Sequence, residues 1–134
     1  MNNQASPQNP ESSLERVTAK YLGLHILAEF WGCSHIDDPV RIENALIDSA
    51  KAAGASILHV NLHHFGKGLG VTGVLMLAES HISIHSWPEL GYAALDVFIC
   101  GKGDAHGAIA SLKNSFKPTE FSLTEHMRGG RRHD

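Results

Sequence analysis

Between Tyr21 and His126 the apolar residues recur at two periods, and the order in which those periods change restricts the fold. Leu22, Leu24, Ile26, Ala28 and Phe30 alternate with Gly23, His25 and Glu29, the period of a strand with one buried face. Asp38-Pro39 then supplies an N-cap and a first-turn proline, Ile42, Ala45, Leu46, Ala50 and Ala53 lie on one helical stripe, and Gly54 stops it. Alternation returns at 55–64, with Leu58, Val60 and Leu62 on one side and His59, Asn61 and His63 on the other. The glycine-rich "FGKGLG" leads into one long strand from about Val71 to Trp87, and "YAALDVFIC" is the next. A second helix runs from Asp104 to Phe116, with Ala108, Ile109, Leu112 and Phe116 inward, and a last strand from Thr119 to His126.

The expected order is therefore β-α-β-β-β-α-β. Two helices cover only one face of such a sheet, so the fold class is α/β (α+β), a two-layer sandwich of one mainly antiparallel sheet with both helices on one face. The other face, which collects His25, His59 and His63, is left wet or paired, as an active cleft or a polar dimer interface.

Residues 1–18 are rich in Asn, Gln, Ser and Pro and read as a disordered tail, leaving 19–134 as a single domain. The formal net charge is −3, and the tight basic group is Arg128, Arg131 and Arg132 near the end, which is poor support for a nucleic-acid partner. No stretch approaches the roughly 20 apolar residues of a membrane span. Met1 to Pro10 lacks a signal-peptide core, so the expected location is cytoplasmic.

Polar residues interrupt the long apolar run: Glu79, Ser80, His81, Ser83 and His85. Ten histidines in the chain suggest a metal first. Yet His59/His63 or His81/His85 on one strand stand about 13 Å apart at about 3.3 Å per residue, too far to share an ion, so no metal is expected from them. Ser80 lies in no G-x-S-x-G elbow, which disfavours a serine hydrolase. Cys33 and Cys100 form no CxxC pair.

The residues "GVTGVLMLAESHISIHSWPELGYAALDVFICG", Gly70 to Gly101, resemble the signature of the small bacterial and archaeal form of S-adenosylmethionine decarboxylase, a pyruvoyl enzyme made as a proenzyme. The likeness is ungapped, centred on "ESH", "IHSWPE" and "ALDVFICG", and continues more weakly from Tyr21 through "HHF" to "RGG". It implies self-cleavage between Glu79 and Ser80 into 1–79 and 80–134. Ser80 Oγ would attack the Glu79 carbonyl, turning the amide into an ester. β-Elimination and hydrolysis would then leave a pyruvoyl group, replacing pyridoxal phosphate and any metal as the cofactor.

The resemblance further implies that the pyruvoyl carbonyl forms a Schiff base with the substrate amine and takes up the electrons freed as carbon dioxide leaves. It makes His85 the proton acceptor in processing, an imidazole task, and Cys100 the proton donor in catalysis. Thiols ordinarily titrate at about 8.5, so one is mostly protonated at neutral pH. Glu89 would bind the ribose hydroxyls, Trp87 would line the pocket, and Phe65 would stack on adenine and face the sulfonium. Two departures stand out: the segment between Phe65 and Thr72 is one residue longer than the family pattern, and Thr72 replaces the usual serine of "GVSG", a hydroxyl expected to help processing.

The function that follows is decarboxylation of S-adenosylmethionine to S-adenosylmethioninamine for spermidine synthesis, by a homodimer with active sites at the subunit interface. The alternative within the same chemistry is an arginine or ornithine decarboxylase, Glu89 then pairing with a cationic side chain. An inactive regulatory partner would have been free to lose Ser80, His85 and Cys100, and a histidine-rich metal module would carry stoichiometric zinc.

Overall fold

The computed structural model describes residues 21–130, so the expected tail at 1–18, and Arg131 and Arg132, lie outside the described residues. Its elements are β1 Gly23–Trp31, α1 Pro39–Ala53, β2 Ile57–His64, β3 Val71–Leu77, β4 Ser80–Trp87, β5 Tyr92–Cys100, α2 Ala105–Phe116 and β6 Glu120–Arg128, with a 3₁₀ turn at Pro88–Leu90. The strands form one sheet in the order β2-β3-β4-β5-β1-β6, and every neighbouring pair is antiparallel. Both helices pack on one face, which makes the expected two-layer sandwich.

The first helix, α1, begins and ends on the signals read from the sequence. Asp38 Oδ1 accepts from the Val40 N–H at 3.0 Å, and Gly54 closes α1 in the left-handed region at φ 74°. Asp104 caps α2 in the same way, accepting from the Gly107 N–H at 2.8 Å. Ile42, Leu46, Ala108, Leu112 and Phe116 bury against Ile26, Phe30, Leu75, Ile82, Ile84 and Val97 of the sheet. Each such large side chain contributes about 1.5–3 kcal/mol by leaving water.

Two expectations need correction. The long strand at 71–87 is a hairpin, which raises the strand count to six: β3 and β4 are joined by a two-residue loop, Ala78-Glu79, with Leu77 paired to Ser80. Burial marks the turn, since the core-facing positions are odd in β3 (Val71, Leu75, Leu77) and even in β4 (Ile82, Ile84, Ser86). Such a change of phase is what a two-residue turn imposes on the pleat. The second correction is in β2, where the register slips between Ile57 and His59. The bulge turns Leu58 outward, 63% exposed, away from Val60 and Leu62.

Candidate active site

The residues singled out in the sequence gather in two places at opposite ends of β4. At the hairpin tip, Ala78 N–H donates to Ser56 O at 3.0 Å and ties the loop to the start of β2. Ser80 is the first residue of β4, and its Oγ accepts from the Cys100 N–H at 3.1 Å. Cys100 is half-buried at the end of β5, opposite Gly23 of β1. A Cβ on Gly23 would stand 2.8 Å from the Phe98 ring and 3.1 Å from the Cys100 sulfur, so glycine there makes room for the thiol. Cys33 is different: burial pushes its pKa up to about 11, which keeps it an inert thiol.

At the other end, Phe65, Leu69, Thr72, His85, Trp87 and Glu89 line a cavity of about 370 Å³. His85 Nδ1 and Thr72 Oγ1 are hydrogen-bonded across β3 and β4 at 3.2 Å. Ser86 pins this end by donating to Ile36 O at 2.7 Å and accepting from the Val71 N–H at 2.9 Å. Gly70 lies so close to the Ser86 carbonyl oxygen that any Cβ would collide with it. The longer segment after Phe65 is taken up by a loop in which Phe65 N–H donates to Gly70 O at 3.0 Å and Leu69 N–H to Gly66 O at 2.8 Å.

From Ser80 to His85 is 85 − 80 = 5 residues of regular strand. At about 3.3 Å per residue the two ends are about 16 Å apart, far beyond proton-transfer reach within one chain.

Between them, on the sheet face that the helices leave open, lies a group the sequence reading missed. Asp96 Oδ2 accepts from His25 Nε2 at 2.6 Å and His81 Nε2 at 2.7 Å, and Ser83 donates to Oδ1. Arg128 Nη1 donates to His25 Nδ1 at 2.9 Å. A guanidinium only donates, so His25 Nδ1 accepts and Nε2 carries the proton given to Asp96. The ligand atoms of His25, His81 and Asp96 lie within 4.8 Å of one another, the cross-strand trio that same-strand spacing could not supply. As bonded, however, His25 has no lone pair left for an ion. The legible signal was Asp96 itself, a lone carboxylate inside the otherwise hydrophobic "YAALDVFIC".

Burial alone would raise the Asp96 pKa, but the bonds from Ser83, His25 and His81, with the His81 charge, outweigh it and lower the value. A carboxylate depressed below its unfolded value of about 3.9 stabilises the fold at higher pH and loses that contribution as pH falls through the folded value. Asp96→Asn is therefore expected to cost about 1–3 kcal/mol at pH 7, and its deficit should shrink below about pH 4. Urea unfolding of both chains at pH 7 and pH 3 checks this, and a deficit independent of pH would contradict it.

Residues 24–129 match the S-adenosylmethionine decarboxylase family. The chain belongs to that family. It is 49% identical over 113 residues to an S-adenosylmethionine decarboxylase proenzyme of Methanococcus maripaludis, covering 82% of this chain and 92% of that one. A proenzyme of the same description from Thermomicrobium roseum is 40% identical over 111 residues, covering 82% and 96%. Among solved structures, the adenosylmethionine decarboxylase of Aquifex aeolicus superposes with a TM-score of 0.77 at 36% identity, over 87% of this chain and 98% of that one. Family membership thus rests on the whole described sheet and both helices, well beyond the "ESH" segment.

Proposed function

We propose that this chain is a pyruvoyl-dependent S-adenosylmethionine decarboxylase, processed by itself between Glu79 and Ser80 into chains 1–79 and 80–134 of a single domain. The observation that carries the reading is the position of that bond. It joins a two-residue loop to the first residue of a strand, next to the Cys100 backbone, in a chain that belongs to the family. A break there frees a strand end while leaving the paired residues of β3 and β4 on their own sides of the cut. Ser80 is half-buried, with its Oγ already held, which suits a group that has to stay put after cleavage.

When formed, the pyruvoyl group supplies a carbonyl that takes the substrate amine and accepts the electrons released with carbon dioxide. The thiol of Cys100, on the adjacent strand, holds the proton returned to the substrate carbon. Glu89 accepts from the ribose hydroxyls, while Trp87 and Phe65 offer apolar faces to the adenine and the sulfonium. Thr72 orients His85 through the bond between their side chains, so that the imidazole takes a proton during processing.

Because the Ser80 and His85 ends are about 16 Å apart, the working unit is a homodimer. A two-fold axis near the middle of β4 sets the Ser80–Cys100 end of one chain against the His85–Glu89 end of its partner, and closes two equal sites. The open face supports this pairing: Leu27, Trp31, Val74, Met76 and Trp87 are exposed on it around the Asp96 cluster. Among the described residues no helix is long and apolar enough to cross a membrane, and a cytoplasmic location completes the reading.

The arginine or ornithine alternative finds no support in the relatives compared above, whose names specify S-adenosylmethionine. The test is the mass of purified protein under denaturing conditions, followed by carboxyl-labelled S-adenosylmethionine, arginine and ornithine in parallel. Two fragments split at Glu79–Ser80, the second blocked to Edman degradation, with label released from S-adenosylmethionine alone, are the expected result. Release from arginine or ornithine instead would transfer the assignment.

A further inference from the structure

We infer that the backbone of Glu79 holds strain that drives the first step of self-cleavage, an inference that rests on the reading of Ser80 above. Glu79 has φ 62°, one of three non-glycine residues in the left-handed region among the described residues. Lys117 is another, and it ends α2 as a left-handed cap. Glu79 has no helix to cap. It is the second residue of a two-residue hairpin loop whose first residue, Ala78, is not in that region.

The turns that suit the twist of a hairpin require a positive φ at the first loop position. A turn with a positive φ only at the second position has the type II pattern and ordinarily carries glycine there. The β3–β4 connection therefore combines a turn that fits the strands poorly with a side chain that fits the turn poorly. Both misfits fall on the residue whose carbonyl is attacked.

In that step a bond forms from Ser80 Oγ to the Glu79 carbonyl carbon, the bond to the Ser80 nitrogen breaks, and the hydroxyl proton ends on that nitrogen. The atoms balance as an isomerisation without a co-reactant. One atom, the amide nitrogen, links the Glu79 carbonyl carbon to Ser80 Cα before the step, and two, Oγ and Cβ, link them afterwards. The longer tether loosens the loop and lets Glu79 return to negative φ. An unstrained turn would hold the amide back. The ordinary cost of a left-handed L-residue corresponds to a shift of about fivefold.

Glu79→Gly and Glu79→Ala separate the backbone from the side chain. Both lack the carboxylate, but only glycine adopts the left-handed region without strain. The measurements are the cleavage rate of freshly translated chains by denaturing mass spectrometry and the yield of 1–79 hydroxamate trapped by hydroxylamine, which reports the ester. Glycine is expected to cleave about fivefold more slowly than alanine and to give less hydroxamate. A glycine chain that cleaves as fast as the alanine chain overturns the inference and leaves the Ser80 reading intact. A wild-type chain that is never cut at Glu79–Ser80 overturns the Ser80 reading and this inference together.

Discussion

Ser80→Ala is expected to give a single uncut chain of 134 residues with no measurable decarboxylase activity. Alanine has no β-oxygen, so it supplies neither the nucleophile for the Glu79 carbonyl nor the leaving group for elimination, and no carbonyl cofactor forms. Loss of a nucleophile that acts as part of a unit costs on the order of 10⁶-fold in other enzymes, and here the residual activity should fall below detection. The chain should still fold. Only the bond from the Cys100 N–H to Ser80 Oγ is lost from the contacts described at that position, worth about 1 kcal/mol. The checks are mass spectrometry, carbon dioxide release and thermal unfolding side by side. A folded, uncut Ser80→Ala chain that still released carbon dioxide would take the reaction away from this residue.

Mixing two inactive chains is expected to restore activity if the site is shared between subunits. Cys100→Ala damages the hairpin-tip end and Glu89→Ala the cavity end, and each alone should lose at least about 10²-fold in kcat/KM. Co-expressed at equal levels, half of the dimers carry one chain of each kind. In each of these, one site joins the intact Cys100 end of one subunit to the intact Glu89 end of the other. Recovery of about one quarter of wild-type activity follows from random pairing. A site assembled within one chain would leave every site with one defect, and the mixture would stay as inactive as its parts. The two outcomes differ by more than tenfold, which makes this the sharper test of the dimer.

Much of the fold was legible because the signals were local. Asp38-Pro39 and Gly54 act within a few residues of themselves, and both ends of α1 lie where they put them. The alternation of β1 also held, because one face of the strand packs on the helices, as does one face of β5. The 71–87 segment misled because Ala78-Glu79 contains no glycine, asparagine or proline to announce a turn. What marked the turn was the shift from odd to even core positions, a weaker signal than a turn residue. Leu58 misled for a related reason, since a bulge reverses the facing of a residue without leaving a mark in the composition.

For the site, the sequence by itself determined a candidate set: Glu79-Ser80, His85, Glu89 and Cys100 stand in one segment whose resemblance named a family that the comparisons then showed. Only the tertiary structure decided which of these groups meet. Cys100 is 100 − 80 = 20 residues from Ser80 in the chain yet bonds to it, because β4 and β5 run antiparallel and bring the end of one to the start of the other. His85 is much nearer in sequence and about 16 Å away, because an extended strand separates its own residues by about 3.3 Å each. The joining of His25, His81, Asp96 and Arg128 from β1, β4, β5 and β6 has the same origin. Cross-strand register places them on one open face, and register is set by the packing of the opposite face, which no short segment contains.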